Sequence, residues 1–383
     1  MDKHTIYYAT NRKHEGKDRW KPNGYGSKFS DDGMENLRFG KVTLEANEKK
    51  VQKFLEKEVG DIGIGNGEDL SNYLAEQAES AKIAAFKESL ASDKSDIIQP
   101  KAKLGSLAAF GELRKAMLKG CDVLIYIHGY NVSWAEAVGS ANALQIMLNR
   151  AQPQKTVHPL QVVLFTWPSD GQALPYVSYQ SDRSEAAGSG KALGRGILKV
   201  RDFLAKVRAG NKKIGEKICN RKLHLLCHSM GNFALQHTLE RINQFTPGRA
   251  LPRIFENIFL CAADVDDDSL ETGHPLGQVH ELTRSVNVYH NKGDLALVIS
   301  DYTKGHPDRL GSAGTARPRL VHNKVQQIDC TPIVEGLVEH SYYLVGNVNR
   351  DIRQSIDGMA HQDTERLRAR VGETGNQWEM VKA

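Results

Sequence analysis

From Asp122 onward the chain repeats one pattern: a short, almost uninterrupted apolar run, then a helix-length segment or long loop, then another run. The runs are DVLIYIHG (122–129), QVVLFTWP (161–168), KLHLLCHS (222–229), NIFLCAAD (257–264), SVNVYHN (285–291) and KVQQIDC (324–330). A strand that is apolar on both faces must be covered on both faces. Such strands alternating with helices imply a mostly parallel sheet lying between two helical layers. The segment Trp134–Leu148 carries the matching helical stripe, with Ala137, Ala141, Leu144 and Leu148 on one side. The expected fold class is therefore α/β. Two earlier β-branched and aromatic runs, TIYYAT (5–10) and KVTLE (41–45), are expected to join the sheet as an antiparallel edge.

A chain of 383 residues has room for one large domain or two modest ones. The strand rhythm favours one, spanning residues 1–358. Within it, residues 48–118 read as a helical insert, because Leu70, Leu74, Ala78, Ala81 and Ala85 follow helical spacing. The pattern breaks near GDIGIGNGED and at Pro100. Residues 168–196 form an unusually long connection after a strand and read as a partial cap. Residues 359–383 read as a polar tail with a frayed end.

With 40% hydrophobic and 25% charged residues, the chain is not disordered as a whole. Its net charge of +5 is too small to signal nucleic-acid binding. The densest basic stretch, NRKHEGKDRWK (11–21), has acids interleaved and reads as a solvated loop. The cysteines, Cys121, Cys219, Cys227, Cys261 and Cys330, are odd in number and form no C-x-x-C pair. Three of them lie in or beside apolar runs, as buried thiols of a reducing compartment do. The start MDKHTIYYAT has no secretory apolar stretch, and no run approaches a membrane span. The expected location is cytoplasmic.

The sharpest local signal is LHLLCHSMGNFALQ (223–236). An apolar strand ends at Cys227-His228, Ser229 follows, and an amphipathic helix starts at Met230. At such an elbow the backbone is strained and the serine hydroxyl stands above the sheet, so positions two residues away must be small. Gly231 meets this on one side. Cys227 replaces the usual glycine on the other. The helix N-terminus also favours negative charge beside the serine. The competing reading is a serine that only caps the helix.

A serine nucleophile needs a base and a group that orients the base, in the chain order Ser, acid, His. Asp294 follows the strand SVNVYHN, and Asp264 and Asp266 follow the strand before it as rivals. His340, in the loop after KVQQIDC, is the leading base. His128, His228, His290 and His322 are the rivals, with His228 expected to point away from the nucleophile. An oxyanion hole requires two backbone N–H groups. Met230 is one source. Tyr130, in YIHGYNVSWAEA, is the other, with Asn131 locking the loop through its side chain. An ordinary strand-to-helix turn is the alternative for that loop.

HGYN, FTWPSDG, HSMGN, YHNKGDLAL and EHSYYL together resemble the α/β-hydrolases, in a bacterial branch catalogued as of unknown function and often labelled esterase/lipase-like. YYATNR (7–12) and LRFGKVTL (37–44) extend the likeness to the N-terminus. The resemblance covers Tyr7 to about Gly358, least in the insert. It implies Ser229 as nucleophile, Asp294 as acid, His340 as base, and Tyr130 and Met230 as oxyanion donors.

The expected activity is hydrolysis of a small, largely uncharged carboxylic ester through an acyl-enzyme, with no metal or organic cofactor. Acyl transfer or amide cleavage by the same residues, and a non-catalytic binding scaffold, are the alternatives. Trp167, Tyr176 and Tyr179 are candidates to line the substrate pocket, or only to pack the cap on the sheet. Asp182 and Arg183 either pair within the cap or meet a polar substrate. The insert is the candidate surface for a protein partner or a second copy. GSGK (188–191) lacks both the leading Gly and the Ser/Thr of a phosphate loop. Asp264, Asp266 and Asp268 have calcium-loop spacing, without the turn Gly or the closing Glu.

Overall fold

The computed structural model describes all residues except 89–103, 151–157, 170–174, 215–219, 247, 249, 298–307, 335–339 and 383, and leaves out the side chains of 175–178 and 208–214. Pro100 and Cys219 lie outside the described residues.

The chain opens with β1 (Asp2–Thr10), a hairpin of β2 (Arg12–Glu15) and β3 (Gly24–Phe29), and then β4 (Arg38–Ala46). β1 is antiparallel to β4 on one side and parallel to the strand Leu160–Thr166 on the other, so it bridges the N-terminal edge to the parallel strands. Asn11 and Arg12 are buried, which corrects the reading of residues 11–21 as a wholly solvated loop.

The insert region holds α1 (Glu48–Glu56), the short pair β5 (Glu58–Val59) and β6 (Gly63–Ile64), α2 (Gly67–Ala78), β7 (Lys82–Ala85) and α3 (Gly105–Leu118). Asn47 caps α1 by accepting the Lys49 N–H, and Asn66 caps α2 by accepting the Asp69 N–H. Leu70 and Leu74 are fully buried, as their spacing requires. Ala81 and Ala85, expected on the same helix, instead flank and end β7, which pairs with β4 as an edge strand. Unsatisfied donors and acceptors on β4 outweigh the helical preference of alanine there.

The apolar runs then become β8 (Asp122–Ile127), α4 (Trp134–Asn149), β9 (Leu160–Thr166), α5 (Pro175–Ile214), β10 (Leu223–His228), α6 (Gly231–Phe245), β11 (Phe255–Cys261), β12 (Thr283–His290) and β13 (Val325–Asp329). Ser133 and Glu136 form a reciprocal capping box at the start of α4. A helix at Gly346–Ile356 follows, and then β14 (Arg368–Val371) and β15 (Gln377–Met380).

One sheet of eleven strands runs in the order β14-β15-β13-β12-β11-β10-β8-β9-β1-β4-β7. β9, β8, β10, β11, β12, β13 and β15 are mutually parallel, and antiparallel neighbours occur only at the two ends. One face packs on α2, α4 and the helix 346–356 through Leu74, Val138, Leu144, Val348 and Ile352. The other packs on α3, α5 and α6 through Phe110, Ile197, Leu235 and Leu239.

Residues 359–382 do not fray. Trp378 and Met380 of β15 are buried, and Arg366 and Arg368 both reach the buried Asp351 carboxylate, at 2.8 Å and 3.3 Å. Tyr289 of β12 donates its hydroxyl to the same carboxylate at 2.7 Å. The polar letters of this segment are thus the partners of a buried ionic cluster.

Candidate active site

The parallel strands β8 to β13 all end on one side of the sheet, and the expected site residues follow those ends. Ser229 sits between β10 and α6 with φ +52°, in the left-handed region that a non-glycine residue rarely adopts. Its N–H donates to the Cys261 carbonyl at 3.0 Å, and its carbonyl accepts the Asp264 N–H at 3.2 Å. Two bonds to the end of β11 therefore hold the strained turn.

The neighbours of Ser229 must be small, for reasons visible in the packing. A Cβ on Gly231 would lie 2.8 Å from the carbonyl oxygens of Ile127 and His128, and a Cβ on Gly129 would lie 2.9 Å from that of Ser229. Cys227, at the other position flanking the elbow, is fully buried in the apolar layer beneath α6, where its small side chain fits.

Asp294 is fully buried in the loop after β12. Its carboxylate accepts the His340 Nδ1–H at 2.8 Å through Oδ2 and 3.0 Å through Oδ1, and Leu297 N–H donates to Oδ1 at 3.3 Å. The bond at Nδ1 leaves Nε2 of a neutral His340 as the basic nitrogen. Among the described residues no hydrogen bond joins His340 to Ser229 Oγ. Such bonds are often long in unliganded sites and tighten with substrate.

His228 does not point away from the site. Its ring lies 4.7 Å from that of His340 and 4.6 Å from that of Tyr343, and its Nε2–H donates to the His340 carbonyl at 3.1 Å. Burial, followed by the charge of His340, holds the His228 imidazole well below its usual range, so it stays neutral. It thereby ties the His340 segment to the elbow.

The other rivals have structural partners. Asp264 accepts the Tyr179 hydroxyl at 2.7 Å and lies 3.6 Å from the buried Arg309, which also pairs with Asp266. Burial and then Arg12 push His128 down to about 3. His322 stacks on His280 with centroids 3.9 Å apart. His290 is buried at the end of β12.

The loop Gly129–Ser133 lies against the elbow. Among the described residues, the N–H groups of Tyr130 and Met230 donate to no protein acceptor. Asn131 adopts φ +55°, and it is its backbone N–H, bonded to Asp182 of α5 at 2.7 Å, that is held. Its side-chain oxygen makes no hydrogen bond among the described residues, so the expected side-chain lock is absent. Asp182 also accepts the Ser169 hydroxyl, whose oxygen accepts the Val132 N–H at 3.0 Å. Arg183 instead stacks over the Phe233 ring at 3.7 Å.

Sequence reasoning missed Arg12. Its guanidinium donates to the Val132 carbonyl at 2.7 Å, Thr166 Oγ1 at 2.8 Å and the Ser169 carbonyl at 3.2 Å. It joins the loops after β8 and β9 from below. The motif YYATNR was the available signal, but nothing local marks its arginine as buried.

Two of the candidate pocket residues are occupied with packing. Trp167 is fully buried, stacks on His128 at 5.2 Å and donates its indole N–H to the His128 carbonyl at 3.1 Å. Tyr179 is buried with its ring edge-on to Tyr130 at 5.6 Å. Both therefore support the loop in this structure and leave no face open to a substrate. The Tyr176 side chain lies outside the described residues.

No helix among the described residues is long and apolar enough to cross a membrane. Residues 110–349 match the family described as alpha/beta hydrolase of unknown function (DUF900). An uncharacterized protein of Nostoc sp. strain PCC 7120, alr1448, is 29% identical over 147 residues, which is 34% of this chain and 33% of that protein. The chain thus spans about a third of the length of that curated relative. A crystal structure of a protein assigned as a cell surface hydrolase from Lactobacillus plantarum WCFS1 aligns with TM-score 0.32 and 15% identity, over 64% of this chain and 96% of that one. The match over residues 110–349 takes in the elbow, Asp294 and His340, and the chain belongs to this α/β-hydrolase family.

Proposed function

We propose that the protein is a serine hydrolase acting on carboxylic esters. The observation that carries the reading is the buried Asp294 carboxylate holding His340 Nδ1 at 2.8 Å, beside a serine in a strained elbow. Ser229 Oγ attacks the ester carbonyl as His340 Nε2 takes its proton. Asp294 keeps the imidazole in the right tautomer and stabilises the imidazolium. The N–H groups of Tyr130 and Met230 receive the developing oxyanion. Collapse breaks the ester C–O bond, and the proton on His340 leaves with the alcohol. His340 then deprotonates a water that attacks the acyl-serine, releasing the acid and restoring Ser229.

The buried free thiols Cys227, Cys261 and Cys330 support a reducing, cytoplasmic location under the same proposal. The test is labelling with a fluorophosphonate probe, together with turnover of a panel of short-chain p-nitrophenyl esters. Labelling and turnover that both vanish in Ser229→Ala are expected. Undiminished labelling of that variant, or no turnover of any ester by the intact chain, refutes the assignment.

A further inference from the structure

A cavity of about 700 Å³ lies between the sheet and the helices α3 and α5. That is within the ~300–1,000 Å³ range of small-ligand sites. Its walls are apolar, with Phe39, Phe110, Phe165, Ile197, Val200 and Phe203 facing it. Neither Ser229, Asp294 nor His340 contributes to it. Its polar end is formed where β10, β11 and β12 begin, whereas Ser229 follows the end of β10. Six residues of extended strand separate those ends by about 20 Å.

The polar end has a strong charge bias. Among the described residues, Arg114, Arg221, Lys222, Arg253 and Arg284 line the cavity, against the carboxylate of Glu256 alone. Glu256 is shared by Lys222 at 3.3 Å and Arg284 at 3.6 Å. Among the described residues, Arg221 meets a carboxylate only at 3.9 Å, that of Asp122, and its buried Nη1 has no hydrogen-bond partner. A buried guanidinium N–H without an acceptor is costly, and a bound anion removes that cost. Apolar walls ending in an excess of cationic side chains over carboxylates fit a long hydrocarbon chain with a carboxylate at its end.

We propose that this cavity binds a long-chain fatty acid, with the chain among the phenylalanines and the carboxylate at Arg221 and Arg253. The site is separate from the Ser229 elbow, and binding there requires no bond to be made or broken. Arg253 is exposed, so its side chain reaches the head group from solvent without disturbing the core.

The test is a fluorescence titration of the full chain with cis-parinaric acid, a fatty acid whose emission rises in apolar surroundings. Saturable binding is expected, displaced by palmitate and at least about tenfold less well by hexadecanol, which lacks the charge. Arg221→Ala combined with Arg253→Glu should weaken binding about tenfold or more. Val200→Trp, which fills the cavity, should abolish it. Ser229→Ala should leave the dissociation constant within about twofold, which separates this site from the proposed ester hydrolysis. Non-saturable binding, equal displacement by palmitate and hexadecanol, no effect of the arginine replacements, or loss in Ser229→Ala would each overturn the proposal. If Val200→Trp does not fold, the arginine variant decides.

Discussion

Replacing Asp294 by asparagine keeps the shape of the side chain and removes its charge. In the native protein both carboxylate oxygens face His340 Nδ1, at 2.8 Å and 3.0 Å, and the carboxylate is fully buried. In the proposed reaction His340 takes the Ser229 proton, and a positive ring then stands about 4 Å from a negative carboxylate. At an effective dielectric near 20 that attraction is worth about 4 kcal/mol. Asparagine forfeits it, and its N–H₂ group can turn a donor toward Nδ1 and impose the wrong tautomer. A loss of about 4 kcal/mol in the transition state corresponds to roughly a thousandfold in rate. The fold should survive, because the asparagine carbonyl can still accept the Leu297 N–H that Asp294 Oδ1 now accepts at 3.3 Å. The assay is kcat/KM on p-nitrophenyl butyrate, with the fluorophosphonate labelling rate and a urea midpoint measured on the same preparation. Asp264→Asn is the control, since Asp264 serves Tyr179 and Arg309. A folded Asp294→Asn protein that labels within tenfold of wild type, or an Asp264→Asn protein that loses more, would refute the reasoning.

Three further outcomes follow from the geometry. Gly231→Ala places a Cβ 2.8 Å from two backbone oxygens, so the elbow must shift; the fluorophosphonate labelling rate should fall at least about tenfold, with about 1–3 kcal/mol lost in urea denaturation. Asp351→Ala leaves Arg366 and Arg368 buried without their carboxylate and should cost about 3–5 kcal/mol in the same assay, whereas Arg319→Ala, at an exposed pair, should cost little. Glu68 in α2 is pushed up to about 7, mainly by burial and then by Asp69. Because the folded state holds this proton more tightly than the unfolded one, the stability it contributes is full below about 4.5 and is lost as pH rises through about 7. Glu68→Gln should therefore stabilise at pH 8, by at most about 3 kcal/mol, and change little at pH 4.5. An equal effect at both pH values would contradict the shift.

What the sequence made legible was local or periodic. Apolar runs located β8 to β13, and the elbow drew attention to Ser229 because strand, serine and helix are consecutive in the chain. Asp294 and His340 emerged because the ends of parallel strands converge, so chain order stands in for distance. What stayed hidden depended on remote partners. Arg12 sits in a polar stretch, yet its acceptors Val132 and Thr166 are 120 and 154 residues away. Arg366, just before β14, and Arg368 within it are buried, which makes sense only once Asp351 is in place, and β15 needs the edge of β13. The alanines of β7 suit a helix, and only the open edge of β4 draws them into the sheet. By their letters alone, Trp167 and Tyr179 suit an aromatic pocket. Their indole N–H and phenol hydroxyl already serve the His128 carbonyl and Asp264.

These remote contacts converge on the segment that the proposed chemistry most needs preorganised. An oxyanion hole works only if its N–H groups point at the developing charge before the reaction begins. The orientation of the Tyr130 N–H depends on the backbone from Gly129 to Val132, which includes Asn131 in the left-handed region. Left alone, such a residue gains about 1–2 kcal/mol by relaxing. Three elements far apart in the chain oppose that relaxation: Asp182 from α5 holds the Asn131 N–H, Ser169 after β9 holds the Val132 N–H, and Arg12 after β1 holds the Val132 carbonyl. The Val132 peptide groups are thus fixed on both the donor and the acceptor side. On the other side of Ser229, His228 does the same for the His340 carbonyl. The N-terminal strand and the long helix α5 therefore act on the same loop, and a change at Arg12 or Asp182 bears on the proposed chemistry without touching Ser229, Asp294 or His340.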